Sequence, residues 1–126
     1  MTATILVVDD SGMSRRALRK ILESAGHQVI EAEDGIAALE RYFIDRPDLV
    51  LLDLTMSGMY GLDVLSKMLE MDADARVIVA SADIQSSTRG MVEEGGARAF
   101  INKPFASEQV LNAVDAALKR SADGTE

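Results

Sequence analysis

The 126 residues contain no cysteine, no tryptophan, two prolines and one histidine, His27. The missing cysteines exclude disulfides, a thiolate nucleophile and a Cys-ligated metal. A His-based metal site or a Ser-His-Asp triad would have to rest on His27 alone. Bases are scarce as well: 13 Lys and Arg against 21 Asp and Glu give a net charge of −8. Acids outnumber bases on both sides of Asp63, so neither half offers the basic face of a nucleic-acid-binding domain. The apolar runs, such as 5–8 and 49–52, fall far short of the roughly 20 residues that cross a bilayer. Residues 1–4 carry no basic region and no long apolar stretch, so no signal peptide is visible. A cytoplasmic chain without membrane insertion is the expectation.

What is present is ordinary for a globular domain: 48% hydrophobic and 27% charged residues. The length suits a single core. One domain over residues 1–120 is expected, followed by a short polar tail, 121–126, that frays. Five short apolar runs recur at 5–8, 28–30, 49–52, 77–80 and 99–101, and most are continuous rather than alternating. That pattern suits strands buried on both faces. Between them run helical stripes: Met13, Ala17, Leu18, Ile21, Leu22 and Ala25 before Gly26; Ile36, Ala37, Leu39 and Phe43 before Pro47; Leu62, Leu65, Met68 and Leu69. Val110, Leu111, Val114, Ala117 and Leu118 form the last stripe, with Ser107 as its N-cap. Residues 84–94 would supply the remaining crossover. There Ser86, Ser87, Thr88 and Gly90 lower helix propensity. This element is either a short helix held by packing or one of low local stability that moves in a switch. Strict alternation of strand and helix predicts an α/β fold: a doubly wound, five-stranded parallel sheet with five helices on two faces.

Sites in such sheets form beyond the carboxyl ends of the strands. The first run ends in Asp9-Asp10, the third in Asp53, the fourth in Ser81 and the fifth in Asn102-Lys103-Pro104. Singly, each could be a turn, cap or rim residue. Together, three carboxylates at one sheet end repel one another unless a cation compensates. A hard divalent ion such as Mg2+ suits that donor set. The group reads as a phosphoryl-transfer site: Asp53 as carboxylate nucleophile, Asp9 and Asp10 on the metal, Ser81 and Lys103 on phosphoryl oxygens. No G-x-x-x-x-G-K-[ST] loop and no G-x-G-x-x-G fingerprint is present. A carboxylate-nucleophile phosphohydrolase needs a second acid two residues after the first, where Ser11 or Gly12 stands.

Four segments carry a resemblance: Leu6-Val7-Val8-Asp9-Asp10, Asp53-Leu54-x-Met56-x-x-Met59-x-Gly61, Val79-Ala80-Ser81-Ala82 and Lys103-Pro104-Phe105. In this order they resemble the response-regulator receiver domain family, in its single-domain, CheY-like form, over about residues 3–120. The resemblance implies the flavodoxin-like strand order 2-1-3-4-5. It implies Asp53 as phospho-acceptor, with Mg2+ (or Mn2+) held by Asp10, Asp9, Asp53 and the backbone carbonyl of Thr55. It implies Ser81 and Lys103 on the phosphoryl group and a cis Lys103-Pro104 bond. Phe100 falls at the aromatic switch position, with plain core packing as the alternative. In the family scheme Ser81 and Phe100 move together and remodel the face made by the fourth helix, fifth strand and fifth helix. Thr55 and Asp83 occupy positions that tune phosphoryl lifetime. The chain departs from the pattern at Ser57, where a proline is usual, and at Phe100, which lacks a tyrosine hydroxyl.

The implied partners are a sensor histidine kinase or histidine phosphotransfer domain and a downstream protein. No effector domain is expected after residue 120, so output is by binding. A monomer or weak dimer that self-dephosphorylates but turns over no external substrate is expected. Arg15, Arg16, Arg19 and Lys20 crowd one helix, either as a solvated face or as a contact for the phosphodonor. The rival readings are a pseudo-receiver serving as a constitutive interaction module and a small Mg2+-dependent phosphohydrolase.

Overall fold

The computed structural model describes residues 2–54, 61–81 and 95–123, with side chains to residue 119. Its strands are β1 (Thr4–Val8), β2 (Gln28–Ala32), β3 (Leu49–Leu52), β4 (Val77–Ser81) and β5 (Ala99–Asn102). Its helices are α1 (Gly12–Ser24), α2 (Gly35–Asp45), α3 (Gly61–Met71) and α4 (Ser107–Asp123). All five strands pair in parallel in the order β2-β1-β3-β4-β5. The crossover expected at 84–94 lies outside the described residues, among which there are four helices.

The strand alternation sorts the core into two layers. Ile5, Val7, Leu49, Leu51, Ile78 and Ile101 face α1 and α4, meeting Leu18, Leu22, Val110 and Val114. Leu6, Val8, Val50, Leu52 and Val77 face α2 and α3, meeting Ala38, Tyr42, Val64, Leu65 and Met68. β1, β3 and β4 are almost wholly buried, which explains their continuous apolar sequence. β2 lies at the sheet edge and is only partly covered.

Local signals set the helix ends. Ser11 caps α1, its hydroxyl accepting from Ser14 N–H at 3.2 Å. Gly26, at φ +90°, closes α1 as its sequence position suggests. Its N–H donates to Glu23 O, and His27 N–H donates to Leu22 O, satisfying the last carbonyls. The Asp34 carboxylate caps α2 through Ala37 N–H at 2.8 Å. Ser107 is the first helical residue of α4 rather than its cap; the Ala106 carbonyl takes the first helical hydrogen bond, from Val110.

Two helices turn differently from their apolar stripes. Met13, Ala17 and Ala25 of the first stripe are exposed, leaving Leu18 and Leu22 buried with Ile21 half-buried. In α2 the buried set is Gly35, Ala38 and Tyr42, while Ile36 and Phe43 are about two-thirds exposed at 64% and 66%. Small residues bring α2 close to the sheet, and Tyr42 follows them inward because its hydroxyl has a partner. It donates to Asp72 Oδ2, just beyond α3, at 2.8 Å.

That bond gives the fold a pH-dependent component. The Tyr42 hydroxyl is the main cause holding the Asp72 carboxyl below its ordinary range. A lowered carboxyl adds stability that is present above the ordinary carboxylate range and is lost as pH falls through the lowered value. Tyr42→Phe should therefore cost about 1 kcal/mol near neutrality and less in acid. Urea unfolding at neutral and at acid pH checks this; an equal loss at both would contradict the assignment.

Candidate phosphoryl-transfer and metal site

The parallel sheet carries the strand ends to one rim. β1 and β3 are neighbours with Val8 beside Leu52, so the next residues, Asp9 and Asp53, emerge side by side. Asp53 N–H donates to Val8 O at 2.9 Å, which extends the ladder into the site. β4 adjoins β3 and ends in Ser81, and β5 pairs Asn102 with Ser81, so Lys103 follows at the same rim. The Lys103–Pro104 peptide is cis.

Asp9 and Asp53 are nearly inaccessible, at 1% and 2%, and Ser81 is fully buried. The Ser81 hydroxyl donates to Asp53 Oδ1 at 2.8 Å. The Lys103 ammonium lies 2.8 Å from Asp9 Oδ2 and 3.6 Å from Asp53 Oδ2. Ser11 N–H donates to Asp9 Oδ1 at 2.9 Å. Asp9 Oδ2 is buried without a hydrogen bond. Its 2.8 Å contact with Lys103 is an ion contact, and a carboxylate oxygen has a second lone pair for another partner.

The charges sit under tension. Burial pushes the Asp9 carboxyl up, aided by the Asp53 charge, and outweighs the opposing effects of Lys103 and Ser11 N–H. Burial alone would lower the Lys103 ammonium, but the Asp9 contact and the charges of Asp53 and Asp9 raise it. Among the described residues Lys103 contacts both buried carboxylates, and the exposed Asp10 adds a third at the rim. Ligand oxygens of Asp9, Asp10 and Asp53 lie within 4.8 Å of one another, a set that can hold a metal ion. Three carboxylates offering hard oxygens so close together fit a small divalent cation.

Phe100 is half-buried on β5 and packs with Leu54 and Val79, next to the backbone that follows Asp53. Thr55 and Asp83 lie outside the described residues, as does Ser57. His27 is at the other end of the sheet, where its Nδ1 accepts from Ala3 N–H at 3.1 Å; it is a buried structural group. Of the four bases crowding α1, Arg15 and Arg19 are committed to Glu31 at 2.9 and 2.6 Å, whereas Arg16 and Lys20 are exposed.

One contributor is missing from the strand-end pattern as a chemical group. Gly61 starts α3 against the backbone of the Asp53 turn, and its N–H donates to Leu54 O at 3.3 Å. A Cβ there would stand 2.5 Å from Leu54 Cα and 2.8 Å from Asp53 O. The glycine of the second motif thus permits the close approach of α3 to the Asp53–Leu54 backbone.

Among the described residues no helix is long and apolar enough to cross a membrane. Comparison with known proteins supplies a family. The family model for the response regulator receiver domain matches residues 5–115. The chain is 40% identical to the chemotaxis protein CheY of Bacillus subtilis over 119 residues, covering 94% of this chain and 99% of that one. It is 37% identical to the response regulator MprA of Mycobacterium ulcerans, covering 96% of this chain and 52% of that one. The structure of NtrX from Brucella abortus superposes with a TM-score of 0.94 at 31% identity, over 99% of this chain and 29% of that one. The convergence of strand-end acids, hydroxyl and ammonium on one rim thus accompanies a match along most of the sequence: the chain belongs to the response regulator receiver domain family, in its CheY-like form.

Proposed function

We propose that this chain is a phosphorylatable switch with Asp53 as acceptor. The observation that carries the reading is the buried Asp53 carboxylate, held between the Ser81 hydroxyl and the Lys103 ammonium beside Asp9 and Asp10. Asp9, Asp10 and Asp53, with the Thr55 carbonyl, would hold Mg2+ or Mn2+. When bound, the ion relieves carboxylate repulsion and stabilises charge on the phosphoryl oxygens.

A carboxylate oxygen of Asp53 attacks the phosphorus of a phosphohistidine on a sensor kinase or phosphotransfer domain. The O–P bond forms, the P–N bond breaks, and the imidazole leaves, taking a proton from solvent. Lys103 pairs with a phosphoryl oxygen, and the Ser81 hydroxyl turns from the carboxylate to another. Water later cleaves the acyl phosphate, with Thr55 and Asp83 tuning the lifetime, and no external substrate is turned over. The packing of Phe100 on Leu54 supports a link from the Asp53 turn to β5. Movement of Ser81 and Phe100 would remodel the face that includes β5 and α4, and a cytoplasmic protein partner would read it.

The test is intact-mass measurement after exposure to a small phosphodonor. The expected result is Mg2+-dependent gain of one phosphoryl mass, lost over time and absent in Asp53→Ala. No gain in the wild type, or gain kept in Asp53→Ala, would sink the reading. Steady turnover of a phosphomonoester would favour a phosphohydrolase instead.

A further inference from the structure

We infer that Arg15 is a positioning residue for the metal-binding turn, its guanidinium clamping the peptide that joins Asp9 to Asp10 onto Glu31 of β2. The inference rests on the reading of Asp9 and Asp10 as metal ligands.

Arg15 Nη1 donates to Asp9 O at 2.6 Å, and Nε donates to Glu31 Oε1 at 2.9 Å. The acceptor carbonyl belongs to the Asp9–Asp10 peptide. Because a peptide unit is planar, fixing that oxygen also fixes the direction in which Asp10 leaves the sheet. The other end of Asp9 is already tied, its N–H donating to Ala32 O at 3.2 Å. The clamp is itself braced: Arg19 Nε holds Glu31 Oε2 at 2.6 Å, and Arg19 Nη1 holds Glu23 at 3.0 Å. Burial alone would raise the Glu31 carboxyl, but Arg19 and Arg15 hold it below its ordinary range, so it stays charged.

The location of Arg15 argues for a purpose beyond the helix. A cation in the first turn opposes the helix dipole, and α1 has no acid there to offset it. Its side chain is only 17% exposed, so it is not a solvated charge. A planar fork that can take a carboxylate and a carbonyl together suits arginine and not lysine.

Charge and position predict opposite signs. Removing a cation near an acidic pocket should tighten Mg2+ binding by Coulomb's law alone. Losing the clamp should weaken it, because groups behind a metal ligand set its orientation. The test is calorimetric titration of the full chain with MgCl2, for wild type, Arg15→Met and Arg15→Lys, with a thermal melt of each. The expected result is roughly tenfold weaker binding in Arg15→Met and a smaller loss in Arg15→Lys, which keeps the charge. Should Arg15→Met fail to fold, Arg15→Lys decides, because charge alone predicts no change there. Binding unchanged or tighter in the folded variants overturns the inference and leaves the site reading standing, even if their melting temperatures fall. A wild type that takes up no Mg2+ overturns both.

Discussion

Lys103→Met should lower the stability of the metal-free chain at neutral pH by about 2–4 kcal/mol, and Mg2+ should recover much of it. The ammonium is the cation between two carboxylates that are 98–99% buried, at 2.8 Å from Asp9 and 3.6 Å from Asp53. Removing it takes the shared cation from both carboxylates in a site where burial already pushes the Asp9 carboxyl up. The sign with pH follows. A raised carboxyl binds its proton more tightly in the folded chain, so ionisation costs stability as pH rises through that value. In Lys103→Met the cost grows, so the variant should be closest to wild type in mild acid and weakest at neutral pH. Mg2+ substitutes for the lost charge, and at a concentration of 100 times its dissociation constant it adds about 2.7 kcal/mol. Denaturant melts with EDTA and with Mg2+, across pH, measure each arm. A variant as stable as wild type in EDTA at neutral pH would show that the pair contributes nothing.

Gly61→Ala should destabilise the chain by about 2–3 kcal/mol and reduce phosphoryl acceptance sharply. The new methyl would meet Leu54 Cα at 2.5 Å and Asp53 O at 2.8 Å. Both are backbone atoms, so no rotamer change relieves the contact. Either α3 moves outward, exposing part of the layer formed with Val64, Leu65 and Met68, or the Asp53 turn moves and misplaces the acceptor. Gly12→Ala is the control: its Cβ would meet only the tips of Arg16 and Arg15, at 3.6 and 3.7 Å. That change should be neutral or stabilising by up to about 1 kcal/mol through helix propensity. Equal melting curves for Gly61→Ala and wild type would remove the close approach from the account.

The strands were legible because three of them are buried on both faces, and such strands must be apolar throughout. Strand alternation and direction then bring Asp9, Asp10, Asp53, Ser81 and Lys103 to one rim, so the candidate group could be read from the ends of the runs. The face of α2 was not legible. Its larger apolar residues, Ile36 and Phe43, point outward, and the inward choice depends on Ala38 and on an Asp72 partner 30 residues away from Tyr42. The Arg15 clamp was hidden for a similar reason. Its partners are a backbone carbonyl and a glutamate 16 residues on, and a bond to a carbonyl leaves no mark on side-chain patterns. Gly61 appeared in a motif, but only the packed backbone shows what its missing side chain permits.

The central claim is that Asp53 accepts a phosphoryl group, and reductive trapping tests it at the residue. Borohydride reduces an aspartyl phosphate to homoserine, which peptide sequencing by mass spectrometry locates. After treatment with a small phosphodonor and Mg2+, homoserine should appear at position 53 and be absent when EDTA replaces Mg2+. Homoserine at another aspartate, or none at 53 under conditions where the intact chain gains phosphoryl mass, would contradict the account.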